Sequence, residues 1–522
     1  MSVFDTCSAS FNVQNETSDF IRCIADAQDN GSQADRIESL AAGIDSFYLI
    51  FAGALVYFMQ TGFAMLCAGS IRAKNVKNVI LWNLLDSCGG GLAFWACGYA
   101  FAYGGDDDGK KTFIGNTNFF LMDENTEYAS WFFQFAFACA LSSIVAGTIA
   151  ERTKMAAYLL YSTFLVGFCY PVVAHAFWSS NGFLSNTTSD PLWGSGAIDL
   201  AGSGPVHMTG GVCALVAAII LGPRIGRFYD EDGNPLDEPN DFPPHSVTLQ
   251  FLGTFCLWFG WYGFNPGSTL AISSAESGNV ASLAAVNTTL SACAGAISAM
   301  VLSTLHDIRY HGIAQWDLGY TMNGCLTGLV AITAGCATVE TWAAVVIGAF
   351  AGLFYLIGSR LLIRWRIDDA VDAIPVHMVG GAWGVLATGL FSNPARMELA
   401  FGMSEHPGWF YDGSDFTLMG IQIIAVLFIF GWTFSLMGVY FYLLNYFGLF
   451  RISQLEEEVG MDISRHKGSA YDMDGSAPKE KVNELNSSRS RRNLMDNVET
   501  KEKSVSDVNA SEKEEVAEAA DA

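Results

Sequence analysis

Charge is scarce in this chain, and positive charge is scarcest. Only 15% of the 522 residues are Asp, Glu, Lys or Arg, and 27 basic residues face 52 acidic ones, a formal charge of -25 at pH 7. The surplus lies almost wholly in tails and loops, so no basic groove is available for a phosphate backbone. That excludes nucleic-acid partners and argues against anionic substrates. CxxC spacing is absent: only Cys7 and Cys23 lie outside the apolar part of the chain, and the other cysteines read as small core residues. A signal-peptide pattern is missing too. Asp5, Glu16 and Asp19 interrupt the stretch where a basic flank and apolar run would stand, which leaves targeting to the first span. Nothing in the pattern calls for a metal or cofactor, and the chain does not read as an enzyme.

What is present is apolar length. Hydrophobic residues make up 51% of the chain, in recurring runs of about 20 residues, the length that crosses roughly 30 Å of hydrocarbon. The expected fold is an all-α polytopic membrane protein with eleven transmembrane helices, near 45–69, 78–103, 129–150, 156–178, 199–222, 246–268, 280–304, 317–337, 342–364, 371–392 and 416–447. Domain boundaries follow: an extracellular segment 1–43 with sequons at Asn15 and Asn30, a transmembrane domain 44–450, a structured cytoplasmic segment 451–472, and a tail 473–522 whose Ser, Asn, Glu, Asp and Lys content is that of a disordered chain. Arg72, Lys74 and Lys77, then Arg152 and Lys154, Arg224 and Arg227, Arg309, and Arg364 and Arg366 fall in alternate connections, against Lys110, Lys111 and Arg396 in the others. Positive charge marks the inner side, so the N-terminus is expected outside and the C-terminus inside. The outer loops then carry Asp106, Asp107, Asp108, Asp123, Glu124 and Glu127, a surface that either concentrates cations or simply keeps the protein soluble.

One heptad is written twice, as Pro205-Val206-His207-Met208-Thr209-Gly210-Gly211 and Pro375-Val376-His377-Met378-Val379-Gly380-Gly381. Histidine is costly in a bilayer, which makes the pair a functional candidate. The copies fall in spans five and ten, so the halves, spans 1–5 and 6–10, are expected to be inverted repeats with a site between them. Each histidine lies roughly 9 to 12 Å deep, and the two can meet near the midplane. Helix packing by two histidines that satisfy each other is the plainer alternative. Other unusual residues gather at outer span ends: Phe133, Gln134 and Phe137, then Trp178, then Phe264 to Ser268. Singly they are interfacial anchors or core; together they describe a cation vestibule built from an indole face and a hydroxyl acceptor. Asp86, inside span two, is expected to be satisfied locally by Asn83 and Ser87, while Glu151 and His175 read as loop-orienting residues.

Phe133-Gln134-Phe135-Ala136-Phe137-Ala138-Cys139, Ala150-Glu151-Arg152, Asp199-Leu200-Ala201-Gly202, Gly260 through Ser268, and His377 resemble the ammonium transporter/methylammonium permease/Rhesus family over about residues 45 to 472. Tyr170-Pro171-Val172-Val173, Gly222 through Phe228 and Gly460 through His466 resemble its plant-type AMT1 branch. The resemblance implies an outer ammonium site at Trp178, Phe137 and Ser268 shaped by Asp199, a phenyl gate of Phe137 and Phe264, and a pore lined by His207 and His377. It further implies a homotrimer with one pore per subunit, a plasma-membrane location in the lipid bilayer, and ammonium, ammonia and methylammonium as cargo. Plant-type relatives use N-terminal cysteines to stabilise the trimer, which makes Cys7 and Cys23 disulfide candidates. Ser464 stands where those relatives carry a phosphorylated threonine, implying a kinase as partner, with Arg465, His466 and Lys467 near enough to pair with phosphate; an ordinary solvated serine is the alternative. A sensor signalling through the tail is the rival function, and haem ligation by the twin histidines is one that a colourless protein would exclude.

Overall fold

The computed structural model describes residues 17–105, 110–471, 481–483 and 485–487, with side chains from residue 33 onward. Among these residues the chain is helical, and β-structure is confined to isolated bridges such as Thr153 with Arg451. The principal helices are α1 (Thr17–Ser70), α2 (Ala73–Tyr103), α3 (Tyr128–Thr148), α4 (Met155–Trp178), α5 (Ser203–Leu221), α6 (Val247–Phe264), α7 (Ala275–His311), α8 (Leu318–Ile332), α9 (Thr341–Arg364), α10 (Ile374–Phe391) and α11 (Thr417–Tyr446). Nine of them, taking α1 from Gln33, are long and apolar enough to cross a membrane. The other two, α6 and α8, stand where spans six and eight are expected. Gln250, Tyr262 and two tryptophans lower the hydropathy of α6, and α8 has only 15 residues.

Helix ends follow local chemistry. Ser274 and Ser277 close a capping box at the start of α7, Ser246 and Asp317 cap α6 and α8 through their side chains, and α7 stops at Gly312, whose φ of 73° is the left-handed stop that glycine supplies. Two helices outrun their expected bounds. α1 begins at Thr17 rather than near residue 45, because neither proline nor a capping stop intervenes, and α7 continues to His311 rather than 304 because no breaker precedes Gly312. After α11, short helices Gln454–Val459 and Met461–Arg465 order the segment expected to be structured. Most of the 473–522 tail lies outside the described residues; its described parts, 481–483 and 485–487, are helical, and Lys481 pairs with Glu458.

Both copies of the repeated heptad lie in wide helical turns, Ser203–Met208 and Ile374–Val379. The His207 amide donates to the Gly202 carbonyl five residues back at 3.1 Å, a spacing that adds a residue to the turn. The two copies then interlock. A Cβ on Gly211 would lie 2.2 Å from the Met378 nitrogen, and one on Gly381 would lie 2.5 Å from the Ser203 carbonyl and 2.8 Å from the Met208 nitrogen. The seventh residue of each heptad thus makes room for the fourth residue of the other, and glycine is the side chain that permits backbone contact there. Gly62 of α1 and Gly253 of α6 play a similar part between those two helices, where added Cβ atoms would meet α6 and α1 backbone at 2.9 and 2.4 Å.

Gly211→Ala therefore forces the crossing apart against backbone atoms. We expect a loss of at least the roughly 1 to 3 kcal/mol typical of overpacking, read as a lower thermal midpoint of the detergent-purified protein; Gly431→Ala, at a helical position of α11 with open space around it, serves as the comparison for a glycine change outside the crossing.

Candidate functional site

A cavity of about 230 Å³ opens at the start of α3 and the end of α4 and is bounded by Phe133, Gln134, Phe137, Trp178, Asp199 and Ser268, together with Tyr103. The elements fix each group. Trp178 is the last residue of α4, and its indole Nε1 donates to the Asp199 carbonyl at 2.8 Å. The Asp199 carboxylate accepts from the amides of Gly202, Ser203 and Gly204 at 2.6, 3.1 and 2.7 Å, so it ties down the entry to α5 rather than projecting freely into the cavity. Pro266 ends α6 and starts a short 3-10 turn in which Ser268 Oγ donates to the Phe264 carbonyl at 2.8 Å, leaving its oxygen as an acceptor. Two further acceptors complete the wall, Gln134 Oε1, expected from its place beside Phe133, and the Tyr103 hydroxyl, which no sequence pattern marks; both lack a protein partner. Unsatisfied acceptors beside an indole and phenyl faces suit a small cationic hydrogen-bond donor.

Below the cavity the aromatic groups close up. Phe133 and Phe137, one turn apart on α3, have ring centroids 4.8 Å apart; Phe137 meets Trp178 edge-on at 6.3 Å and stacks on Phe264 at 4.0 Å. His207 stacks in turn on Phe264 at 5.3 Å and on Trp261 at 5.0 Å, and Trp261 is held by its indole bond to Thr333 Oγ1 at 3.0 Å. His207 and His377 meet through their Nδ1 atoms at 3.2 Å. One of the two Nδ1 atoms must donate and the other accept, so the pair has a direction: a neutral pair presents one Nε2 as an acceptor and the other as a donor. Beyond His377 lies a cavity of about 20 Å³ lined by Ser143, Asn323, Val371 and Leu66 among others, and beyond that one of about 360 Å³ that shares Leu66, Asn323 and Val371 and adds Asp317, Asp369 and Asp372. Cavity, stacked phenyls, imidazole pair and two further cavities lie in sequence along one line of contacts.

This arrangement can be set beside known proteins. The Ammonium Transporter Family model matches residues 46–471. The chain is 44% identical to Ammonium transporter 1 member 3 of Solanum lycopersicum, an alignment covering 83% of this chain and 94% of that protein. Among solved structures it is similar to a Sensor Amt Protein, at 32% identity and TM-score 0.70 over 82% of this chain and 99% of that one, and to the N240A mutant of Candida albicans Mep2, at 26% identity and TM-score 0.69 over 82% and 90%. The chain belongs to the ammonium transporter family. It is a multi-pass membrane protein.

Elsewhere in this family member the side chains correct several expectations. Asp86 is not satisfied locally. Asn83 Nδ2 turns back to the Val79 carbonyl, and the Asp86 carboxyl accepts instead from Ser162 Oγ at 2.6 Å, from the Tyr158 hydroxyl, and from Ser143 Oγ at 3.4 Å, all on α3 and α4. His175 does orient a loop: its nitrogens meet the Ala102 carbonyl and Thr112 Oγ1 at 2.9 and 2.8 Å. Ser464 is not a solvated serine, being 2% exposed, and Arg465 pairs with Glu456. Cys7 and Cys23, the expected disulfide candidates, have side chains outside the described residues.

Glu151 is more than a loop residue. It is fully buried between Arg72 at 2.5 Å and Arg224 at 2.7 Å, and Arg224 also grips Asp368 at 2.8 Å. The C-terminal segment is bonded onto this cluster: Lys74 Nζ donates to the carbonyls of Glu457 and Glu458, the Ile225 amide to Glu457 Oε1 at 2.7 Å, and Asp462 accepts from the amides of Lys77 and Asn78 at 3.1 Å each. Burial alone would raise both carboxyls, but Arg224 and Arg72 outweigh it at Glu151, and Arg152 and Arg224 at Asp368, holding both below their ordinary values of 4.5 and 3.8. The two groups ionise more readily folded than unfolded, so their stabilisation is complete above the unfolded values and is lost as pH falls below about 4.5.

Removing the shared cation by Arg224→Gln leaves two buried carboxylates short of a partner, an expected loss of about 3 kcal/mol at neutral pH. Thermal midpoints of the purified protein measured down a pH series check the sign: the gap between wild type and variant is expected to narrow below pH 4.5, where protonation removes the charge that Arg224 balances.

Proposed function

We propose that this chain carries ammonium and methylammonium across the plasma membrane, with recognition at Trp178, Phe137, Ser268 and Asp199, a gate of Phe137 and Phe264, and passage beside His207 and His377. The observation that carries the reading is the unbroken succession of a cavity with unsatisfied acceptors, a phenyl stack at 4.0 Å and an imidazole pair bonded at 3.2 Å. A desolvated cation–π contact contributes about 2 kcal/mol, whereas burying an unpaired cation costs several kcal/mol per ion, of order 3 or more. The intact ion therefore waits at the indole, gives up a proton, and neutral ammonia passes the dry rings. The proton, taken up by water in the cavity, follows separately along transient water and the imidazole pair, giving net charge movement. Eleven spans, inverted halves meeting at the Gly211–Met378 and Gly381–Met208 contacts, an outside N-terminus, an inside C-terminus and a homotrimer complete the proposal, and the similarity to plant ammonium transporters supports it. A sensor function at the same site is the second reading, favoured by the likeness to a protein named as a sensor; separation of uptake from signalling in a Phe137 variant decides between them.

Two measurements in one expressing cell, ammonium-evoked current and labelled methylammonium uptake, test the path. Ala at His207 or His377 is expected to disrupt transport while leaving outer-site binding largely intact, and normal current and selectivity in both would refute the proton path. Trp178→Leu keeps an apolar side chain but removes the π face and is expected to raise half-saturation by about tenfold or more, since the contact is worth about 2 kcal/mol; an unchanged value would make the tryptophan an anchor alone.

The buried position of Ser464 gives its modification a mechanism. A phosphate carries a charge of about -1.5 to -2 and has no room beside Met461 and Asp462, so the segment must leave the first turns of α2, Lys74 to Asn78, to hold it. Ser464→Asp is expected to silence transport at unchanged surface expression, and in mixed trimers activity should fall faster than the variant's share. Full activity in Ser464→Asp would remove the switch.

A further inference from the structure

Asp86 has no part in the path proposed above, yet it is wholly buried in α2 within a run of apolar residues. Its partners are the hydroxyls of Ser162, Tyr158 and Ser143. No Lys, Arg or His pairs with it among the described residues. Serine hydroxyls donate and accept, so Ser143 and Ser162 can serve the carboxyl in either protonation state, whereas a fixed cation would hold only the carboxylate. A purely structural polar cluster has no need to reach the pore. This one does, because Ser143 also forms the wall of the 20 Å³ cavity beside His377. Gln60, whose Oε1 accepts from Ser143 Oγ at 2.6 Å, keeps a buried Nε2 without a partner at the same place. The cavity has space for about one water, with Ser143, Asn323 and His377 as polar neighbours. His377 turns Nδ1 to His207, so Nε2 is the nitrogen left for that water.

From these contacts we infer that Asp86 is a proton-holding side branch of the pore, joined to His377 through one cavity water and the Ser143 hydroxyl. The inference rests on the ammonium-uptake reading. Its step balances without another reactant. Protonated His377 gives its Nε2 proton to the water, the water gives a proton to Ser143 Oγ, and the Ser143 hydroxyl proton passes to Asp86 Oδ2. Neutral imidazole and neutral carboxylic acid remain, and the reverse sequence returns the proton. Ser143 makes the transfer by turning its hydroxyl from Gln60 Oε1 at 2.6 Å to Asp86 Oδ2 at 3.4 Å. Holding the proton at Asp86 clears the imidazole pair of charge while the next ammonia passes, and keeps that proton within the membrane.

The test compares wild type, Asp86→Asn and Ser143→Ala for ammonium-evoked charge per labelled methylammonium taken up, with surface expression measured alongside. Ser143→Ala leaves the Ser162 and Tyr158 bonds in place, so it carries the test even where Asp86→Asn fails to reach the surface. The ratio is expected to fall about tenfold in each variant, equivalent to 1.36 kcal/mol in a barrier, and the solvent deuterium effect on wild-type current should be lost. A wild-type ratio in either variant that reaches the surface overturns the inference, as does wild-type uptake without current; both leave uptake standing. Absence of uptake in the wild type overturns the transport reading itself, and the side branch with it.

Discussion

The bond between His207 Nδ1 and His377 Nδ1 makes demands on everything around it. Two imidazoles in hydrocarbon surroundings must satisfy each other, and they reach 3.2 Å only if the helices bearing them cross at backbone distance. The wide turns at Ser203–Met208 and Ile374–Val379 aim the rings, and Gly211 and Gly381 admit Met378 and Met208 of the opposing copy. Trp261, pinned by Thr333, and Phe264 then fill the face of His207 with aromatic surface, which keeps the pair dry from one side. The repeated heptad is therefore a packing solution and a chemical one at once: its histidine makes the bond, and its last glycine admits the backbone of the opposing methionine.

A second constraint sits at the far end of the same helices. Arg224, Arg152, Glu151 and Asp368 form a buried ionic cluster between the short connections, and the C-terminal segment is bonded onto it through Arg451, Glu457 and Asp462. Buried ion pairs add little net stability, but removing one member is costly. Such a cluster suits a joint that is either fully assembled or fully released, and it connects the segment carrying Ser464 to the loops that follow α1, α3, α5 and α9.

The elements legible in the sequence were those whose signal is local or repeated. Apolar runs placed the helices, the twin heptads placed the histidines, and the run from Gly260 to Ser268 placed Phe264 and Ser268 in their turn. What escaped depends on partners far apart in the chain. Asp86 was matched with Asn83 and Ser87 because those are its neighbours on the helix, whereas its hydroxyl donors come from positions 57 to 76 residues away. Arg152 and Arg224 were read as markers of sidedness and are in fact almost wholly buried. Tyr103 is marked as part of the site only by its place in the cavity wall and its missing hydrogen-bond partner. The early start of α1 was hidden by its polarity, since an acidic stretch without proline can continue a helix that an apolar stretch anchors.

The stack of Phe137 on Phe264 has a consequence of its own. With centroids 4.0 Å apart, nothing the size of ammonia fits between the rings at rest. If the pair is the gate proposed above, opening requires a ring to swing about its side-chain torsions, and the neighbours that set the freedom of that swing are Phe133, Trp178, Trp261 and His207. Along the proposed path, throughput is then a frequency of side-chain rotation rather than a property of an aperture, so warming should speed passage more steeply than it thins the surrounding water. The residues framing the rings become timing elements, even where they never touch the cargo.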